Sequence, residues 1–157
     1  MKFYCDEMLQ RLGRWLRAAG YDTRIQVNGG SDSNMLRDAR REARLLITRD
    51  HKLMEFRDAA DTVVLLHSNT PQECIDELTR RVQLDWLYRP FSRCLICNTV
   101  LVDAGTEAWD RLPRESRLHV DKLLSCSHCG RIYWEGGHVR RMRARLAVWQ
   151  AAAHLHQ

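Results

Sequence analysis

Apolar residues in the first ninety positions follow two alternating patterns. Short apolar runs with the length of β-strands occupy residues 2–5, 21–27, 45–48 and 62–66. Between the runs, apolar residues recur every three or four positions, as on the buried face of a helix. These positions are Leu9, Leu12, Leu16 and Ala19; Met35, Leu36, Ala39 and Ala43; and Cys74, Ile75, Leu78 and Val82. Strands that alternate with helices predict an α/β domain with a parallel sheet and flanking crossover helices.

Three aspartates are predicted at the carboxyl edge of this sheet. Asp6 follows the first strand, Asp50 follows the third, and Asp32 begins the helix after the second. Ligands of open parallel sheets bind outside the carboxyl ends of the strands, so these carboxylates are expected to face one cleft. They would repel each other unless a cation neutralised them, and Mg²⁺ or Mn²⁺ prefers oxygen ligands. The pattern is typical of metal-assisted phosphodiester hydrolysis.

Helix capping is the competing explanation for the same aspartates. A carboxylate at the start of a helix accepts hydrogen bonds from backbone amides that have no partner within the helix. Each aspartate stands at a junction between a strand and a helix, so capping explains each one singly. Spacing alone leaves the two interpretations open.

The second part of the chain begins where the helical periodicity ends. Between residues 83 and 93 the apolar spacing fades, and the aromatic residues Tyr88 and Phe91 flank Pro90. We therefore predict one domain over residues 1–88 and a second over residues 89–157. In the second, residues 98–102 and 131–134 are predicted to be ribbon strands, separated by a charged insertion at 104–123.

Two Cys-x-x-Cys motifs, Cys94 with Cys97 and Cys126 with Cys129, predict a zinc site in this second domain. Thiolates spaced by two residues reach one ion from a tight turn, and two such turns supply a tetrahedral Cys₄ shell for structural Zn²⁺. The motifs are 28 residues apart (98–125), which is longer than in most zinc ribbons and fits an inserted loop. Two disulfides or separate core cysteines are the alternatives.

Positive charge is concentrated in the C-terminal helix that His138 introduces. The whole chain has 25 Lys and Arg against 20 Asp and Glu, a net charge of +5. The helix carries Arg140, Arg141 and Arg143, which predict a phosphate-binding surface with Trp134 as a stacking platform. A solvated helix packed on its apolar residues is the alternative.

Membrane partners are not expected from this sequence. The first apolar stretch stops at Asp6, so it does not have the form of a secretory signal. No run approaches the ~20 apolar residues that a membrane span needs. Paired cysteine motifs without a secretory signal favour a reducing compartment, and we expect a cytoplasmic protein.

Three groups of residues resemble the Mut-seven C-terminal RNase family, in which a PIN-like nuclease domain precedes a zinc ribbon. The first group is Asp6, Met8-Leu9, Leu12, Trp15-Leu16-Arg17 and Gly20-Tyr21-Asp22-Thr23. The second is Asp32, Ala39 and Leu46-Ile47-Thr48-Arg49-Asp50. The third is Arg93-Cys94, Cys97-Asn98, Cys126, Cys129-Gly130, Tyr133-Trp134, Gly136 and His138. The match runs through nearly the whole chain.

The resemblance implies a PIN-like fold and a divalent-metal-dependent ribonuclease. Asp6, Asp32 and Asp50 would hold Mg²⁺ or Mn²⁺, and Thr48 would orient a carboxylate or a water. Such nucleases often carry a fourth acid, for which Asp38, Asp58 and Asp61 are the candidates. Apart from the resemblance, the basic and aromatic residues themselves are expected to contact such an RNA, with solvated helix faces as the alternative for the arginines. These basic and aromatic residues are Arg14, Arg17, Arg49, Trp134, His138, Arg140, Arg141 and Arg143.

Two other hypotheses compete with the ribonuclease. One is a non-catalytic RNA-binding or ribosome-associated protein, in which the ribbon and the arginines bind RNA and the aspartates are caps. The other is a toxin-like nuclease silenced by a protein regulator. Exposed apolar surface on the first domain would be the sign of such a regulator.

Overall fold

Four parallel strands form the sheet of the first domain. In the computed structural model, which describes residues 1–154, the strand order is β2-β1-β3-β4. The strands are β1 (Lys2–Cys5), β2 (Asp22–Ile25), β3 (Leu45–Thr48) and β4 (Val63–Leu65). Leu46, Ile47 and Thr48 of β3 are fully buried, as expected for a strand covered on both faces. The predicted α/β fold with a parallel sheet is confirmed.

Helices connect these strands and cover the sheet. A 3-10 turn (Glu7–Leu9) leads into α1 (Gln10–Ala18), and α2 (Asp32–Arg41) joins β2 to β3. A second 3-10 turn (His51–Glu55) follows β3, and α3 (Pro71–Val82) follows β4. A capping box stabilises the start of α3, because the Thr70 hydroxyl and the Glu73 carboxylate accept hydrogen bonds from each other's backbone amides.

The second predicted domain contains an antiparallel ribbon with an insertion. Its strands are β5 (Val102–Asp103), β6 (Leu123–Ser125) and β7 (Ile132–Trp134), in the order β5-β6-β7. The insertion contains two single-turn helices, α4 (Thr106–Trp109) and α5 (Arg114–Arg117). β5 begins later than the sequence predicted, because residues 99–101 pair with residues 92–94 in the hairpin of the first knuckle.

The last helix, α6 (Gly137–His154), packs back onto the first domain. Leu146 and Trp149 belong to the same apolar core as β1 and α1. The Trp149 ring lies edge-on to Trp15 with ring centroids 4.7 Å apart, and it also contacts Trp86 at 5.0 Å. The helix therefore follows the ribbon in sequence but stabilises the α/β domain. None of the helices between residues 1 and 154 combines the length and apolar character that crossing a bilayer requires.

We expect Trp149→Ala to lower the free energy of unfolding by about 3–5 kcal/mol, because it removes a buried indole shared by three elements. Urea unfolding followed by circular dichroism measures the change. The neighbouring Val148, which is 61% exposed, provides the matched control, and Val148→Ala is expected to change stability by at most about 0.5 kcal/mol. Equal losses in the two variants would contradict the packing of α6 on the core.

Candidate active site and metal centre

An acidic cleft of about 130 Å³ opens at the carboxyl edge of the parallel sheet, and Asp6, Asp32, Thr48 and Asp50 all line it. In the order β2-β1-β3-β4, the chain goes from β1 to its neighbour β2 on one side and from β3 to its neighbour β4 on the other side. The two connections therefore run in opposite directions from the adjacent strands β1 and β3. Such a switch in direction opens a crevice between the two connections, which is where ligands of α/β sheets bind. The structure thus brings the four predicted side chains to one place.

Thr48 links two of the aspartates. The Asp6 side chain is buried, and its Oδ1 accepts a hydrogen bond from the Met8 amide at 2.8 Å. Its other oxygen accepts a hydrogen bond from the Thr48 hydroxyl. The same hydroxyl oxygen accepts a hydrogen bond from the backbone amide of Asp50 at 2.9 Å. Thr48 therefore fixes the carboxylate of Asp6 relative to the segment that carries Asp50.

Capping accounts for part of this arrangement but not for all of it. Asp6 and Asp50 are the N-cap residues of the two 3-10 turns, and Asp50 Oδ1 accepts from the Lys52 amide at 2.9 Å. Asp32 is different, because the cap of α2 is Ser31, whose hydroxyl accepts from the Asn34 amide at 3.3 Å. Asp32 therefore lies in the cleft without serving as a cap.

The four cysteine sulfurs of the predicted zinc centre lie close together. The Sγ atoms of Cys94, Cys97, Cys126 and Cys129 all lie within 4.8 Å of one another. Cys94 and Cys129 are 3.6 Å apart, and Cys97 and Cys126 are 3.3 Å apart, so neither pair is a disulfide. Tetrahedral Zn²⁺ with bonds of about 2.3 Å separates its sulfurs by about 3.8 Å. The cluster therefore fits zinc, and the ribbon is a Cys₄ ribbon.

The two cysteine knuckles have the same backbone geometry. The amide of Asn98 donates to the Cys94 carbonyl at 2.9 Å, and the amide of Gly130 donates to the Cys126 carbonyl at 2.9 Å. Both donors have a left-handed backbone, with φ 70° at Asn98 and 73° at Gly130. Glycine adopts this conformation without strain, and asparagine tolerates it better than most residues. Either residue can therefore form this turn, so the turn alone does not explain why the first knuckle ends in asparagine.

The environment of Cys94 favours the thiolate that a metal ion needs. Burial raises the pKa of Cys94, but hydrogen bonds from Tyr133 and from backbone amides outweigh it and hold the pKa below its usual value. The Tyr133 hydroxyl accepts from the Leu95 amide at 3.1 Å and lies 3.1 Å from the Cys94 sulfur; because a thiolate has no proton, the hydroxyl is the donor to the Cys94 thiolate. Tyr133 therefore positions the first knuckle rather than serving as a ligand.

The first knuckle is attached to the edge of the parallel sheet by Arg17 and Asn98. Thr23 in edge strand β2 donates its amide to Asn98 Oδ1 at 3.0 Å. Its carbonyl accepts from Arg17 Nε at 2.8 Å. Arg17 Nη1 also donates to the carbonyls of Leu95 and Ile96 at 3.0 and 2.6 Å. We call these contacts of Arg17, Thr23 and Asn98 the ribbon joint.

Arg17 is therefore removed from the predicted RNA surface. Arg17 is 6% exposed, and its Nε and Nη1 donate to backbone carbonyls of β2 and of the first knuckle, so it is not placed to contact a phosphate. The position of Arg17 next to Leu16, Ala18 and Ala19 was the available signal, since it places the charge within an apolar run.

The other predicted RNA-contacting residues lie in several environments. Four of them are exposed: Arg14, His138, Arg140 and Arg141. Arg49 donates to Asn69 at 2.7 Å near the acidic cleft. Arg143 forms two hydrogen bonds to the Glu135 carboxylate at 3.0 and 2.9 Å and stacks on Phe91, so its charge is largely satisfied. Trp134 is half-buried.

An α/β domain with an acidic cleft, joined to a Cys₄ ribbon, is thus the class of protein that the fold and the site define. The family model of the Mut7-C RNAse domain matches residues 1–146. The chain belongs to this family, which points to a nuclease or another function involving RNA. Neither curated proteins nor solved structures gave a match to the chain.

We expect the purified protein to contain one zinc ion per chain, because the four sulfurs form one tetrahedral cluster. Cys97→Ser is expected to lose most of this zinc, whereas Cys74→Ala, at a buried cysteine outside the cluster, is expected to retain it. Elemental analysis by inductively coupled plasma mass spectrometry measures the content. Equal zinc in both variants would show that the cluster is not the binding site.

The ribbon joint is tested by exchanging the residues that end the two knuckles. Asn98→Gly keeps the left-handed turn but leaves the Thr23 amide and Asp22 without their partner, and we expect a loss of about 1–3 kcal/mol in stability. Gly130→Asn is the control, because no atom outside the adjacent residues lies within 4 Å of its added Cβ, and the strain at its φ of 73° is one that asparagine tolerates better than most residues. Urea unfolding reports stability, and zinc content is expected to stay unchanged in both. Equal stability of the two variants would contradict the joint.

Proposed function

We propose that the protein is a divalent-metal-dependent ribonuclease that hydrolyses RNA phosphodiester bonds at the acidic cleft. The observation that carries this proposal is the convergence of Asp6, Asp32, Thr48 and Asp50 on one cleft, in a chain of an RNAse-domain family. A fold alone does not determine activity, so the proposal depends on the chemistry of these four side chains.

The donor set in the cleft suits Mg²⁺ or Mn²⁺. Asp6, Asp32 and Asp50 offer only oxygen ligands, which these ions prefer. Within residues 1–154, the cysteines are the sole group of three or more ligand atoms that meet within 4.8 Å. The three aspartates therefore do not form a complete protein shell for a cation. Mg²⁺ can bind with an incomplete protein shell, because it keeps several waters and takes one or two carboxylates together with substrate phosphates.

Each residue of the cleft has a separate task in this proposal. Asp6 is held rigidly by Met8 and Thr48, so it provides a fixed anchor for the cation. One carboxylate oxygen of Asp50 accepts the capping hydrogen bond from the Lys52 amide, and the other oxygen is available to the cation. Asp32, which is not a cap, is the carboxylate most able to adjust when substrate enters. When bound, the divalent ion supplies an activated water and neutralises charge on the phosphate.

The ribbon has a structural task here. Its zinc cluster holds the knuckle that the ribbon joint attaches to β2, and β2 pairs with the strand that carries Asp6. Exposed Arg140 and Arg141 at the start of α6 add positive charge that can contact the RNA backbone.

A non-catalytic RNA-binding protein is the second candidate function. The capping of both 3-10 turns by Asp6 and Asp50 favours it, because these hydrogen bonds give the two aspartates a purpose without catalysis. In this case no divalent ion binds at the cleft, while RNA binding persists with a steep dependence on salt.

Single-turnover cleavage of RNA in Mn²⁺ distinguishes the two functions. We expect Asp6→Asn and Asp50→Asn to lower the cleavage rate at least about 100-fold, because loss of a metal ligand removes several kcal/mol of charge stabilisation. Asn keeps the size and one acceptor oxygen, so both variants should fold, which circular dichroism checks. Asp110→Asn, at a side chain 87% exposed in the insertion, is the control and is expected to cleave normally. Wild-type rates in the two cleft variants would support the non-catalytic function.

A further inference from the structure

A second and larger depression lies beside the acidic cleft. It has a volume of about 760 Å³ between α2 and the segment that follows the second 3-10 turn. We call it the arginine groove and define it by Arg37, Arg40, Arg41, Phe56, Arg57 and Asp58. Four arginines against one aspartate make the groove strongly positive, in contrast to the acidic cleft.

The two depressions share their walls. Helix α2 contributes Asp32 and Met35 to the acidic cleft, and Arg37 and Arg40 to the arginine groove. The segment after β3 likewise contributes Asp50 to the cleft. Phe56 and Arg57, a few residues further along, line the groove. A polymer that leaves the cleft between these two segments therefore enters the groove.

Charge in the groove is only partly neutralised by the protein. Arg40 pairs with Asp58, and Arg41 lies 3.3 Å from Asp38. The Arg37 side chain is 67% exposed and its contact with Asp38 is long, at 3.9 Å, so this pair contributes little. Arg57 is exposed and has no ion pair within the described part of the chain. Arg37 and Arg57 are thus the two cations most available to an anionic ligand.

Phe56 adds an aromatic surface to this charge. It is 38% exposed and directly precedes Arg57. A positively charged groove with an aromatic side chain is the usual arrangement for binding single strands, in which phosphates contact arginines and a base stacks on the ring. A double helix would hide its bases from such a ring, so the groove favours unpaired RNA.

The other side of the acidic cleft is also positive. A small cleft of about 70 Å³, which shares Met8 with the acidic cleft, is lined by Arg11 and Arg49. Cations therefore flank the carboxylates on both sides, which is the distribution that a polyanion crossing the cleft requires.

We propose that the arginine groove binds the single-stranded RNA segment on one side of the scissile phosphate. Arg37 and Arg57 contact its backbone phosphates, and one base stacks on Phe56. This inference rests on the proposed ribonuclease function, because it names how the substrate of that site is held. None of the three residues lines the acidic cleft, so they affect binding without providing a catalytic group.

Binding to a fluorescent single-stranded RNA tests the groove separately from catalysis. Anisotropy titrations with Ca²⁺ in place of Mn²⁺, in the Asp50→Asn background, measure affinity over a range of salt concentrations. We expect Arg37→Ala with Arg57→Ala to weaken binding at least about tenfold, since two charge-assisted contacts are lost. The slope of log K against log salt should become shallower by about 1.4, as two single-strand phosphate contacts require.

Two controls separate a specific groove from a general effect of charge. Arg80→Ala with Arg114→Ala removes the same charge from exposed positions outside the groove, and it is expected to change affinity less than about twofold. Phe56→Ala is expected to weaken RNA binding about fivefold or more. Phe56→Tyr keeps an aromatic face and is expected to bind RNA as tightly as the protein with Phe56.

The results distinguish failure of the groove from failure of the proposed function. Unchanged affinity and salt slope in the groove variants would overturn the inference, as would equal losses in the groove pair and the control pair. Because binding is measured without cleavage, a groove that fails this test leaves the effect of Asp6→Asn on cleavage untouched. Conversely, a groove that binds RNA while Asp6→Asn cleaves normally would remove the catalytic proposal and the position of the RNA beside a scissile phosphate, and would leave the groove as an RNA-binding surface. Preference for duplex RNA over the single strand would contradict the role of Phe56.

Discussion

The buried guanidinium of Arg17 is the contact on which the joining of the two modules depends. A charge removed from water must keep its hydrogen bonds, and Arg17 keeps them by donating to carbonyls of β2 and of the first knuckle. Asn98 completes the contact from the knuckle side, with one amide serving both Thr23 and Asp22. The zinc cluster, the sheet edge and the first helix are therefore joined by one polar network, next to the apolar contact of Leu95 with the core of the α/β domain.

This network organises the sheet from the edge opposite β4, while the acidic cleft lies where β1 and β3 end. The polar network and the acidic cleft both depend on β1, which pairs with β2 on one side and with β3 on the other. The Thr48 hydroxyl has a comparable role within the cleft, because it accepts from one strand end and donates to another. Helix α6 adds Trp149 to the core beneath, so the segment after the ribbon also supports the domain that carries the aspartates.

Much of the fold and part of the site could be predicted from the sequence, because short periodic patterns report local structure. The strand ends predicted that Asp6, Asp32 and Asp50 would share a cleft, although spacing cannot separate capping from metal binding. The apolar residues around Arg17 were a signal of its burial, but its partners could not be predicted, because two of the carbonyls that accept from it are 78 and 79 residues away in the sequence. The arginine groove is formed by segments whose proximity arises from strand order, which local patterns do not encode.

The outward backbone groups of β2 have a wider consequence. An edge strand of a sheet has unpaired amides and carbonyls that can pair with a strand of another molecule. Proteins cover such edges, which prevents aggregation. Asn98 and Arg17 occupy both polar groups of Thr23, and at the far border Arg81 donates to the Leu65 carbonyl. Detaching the ribbon would remove Asn98 and uncover the Thr23 amide, while Arg17 of α1 would still donate to the Thr23 carbonyl. Depletion of the metal is therefore expected to open part of this border to intermolecular β-pairing before the sheet unfolds.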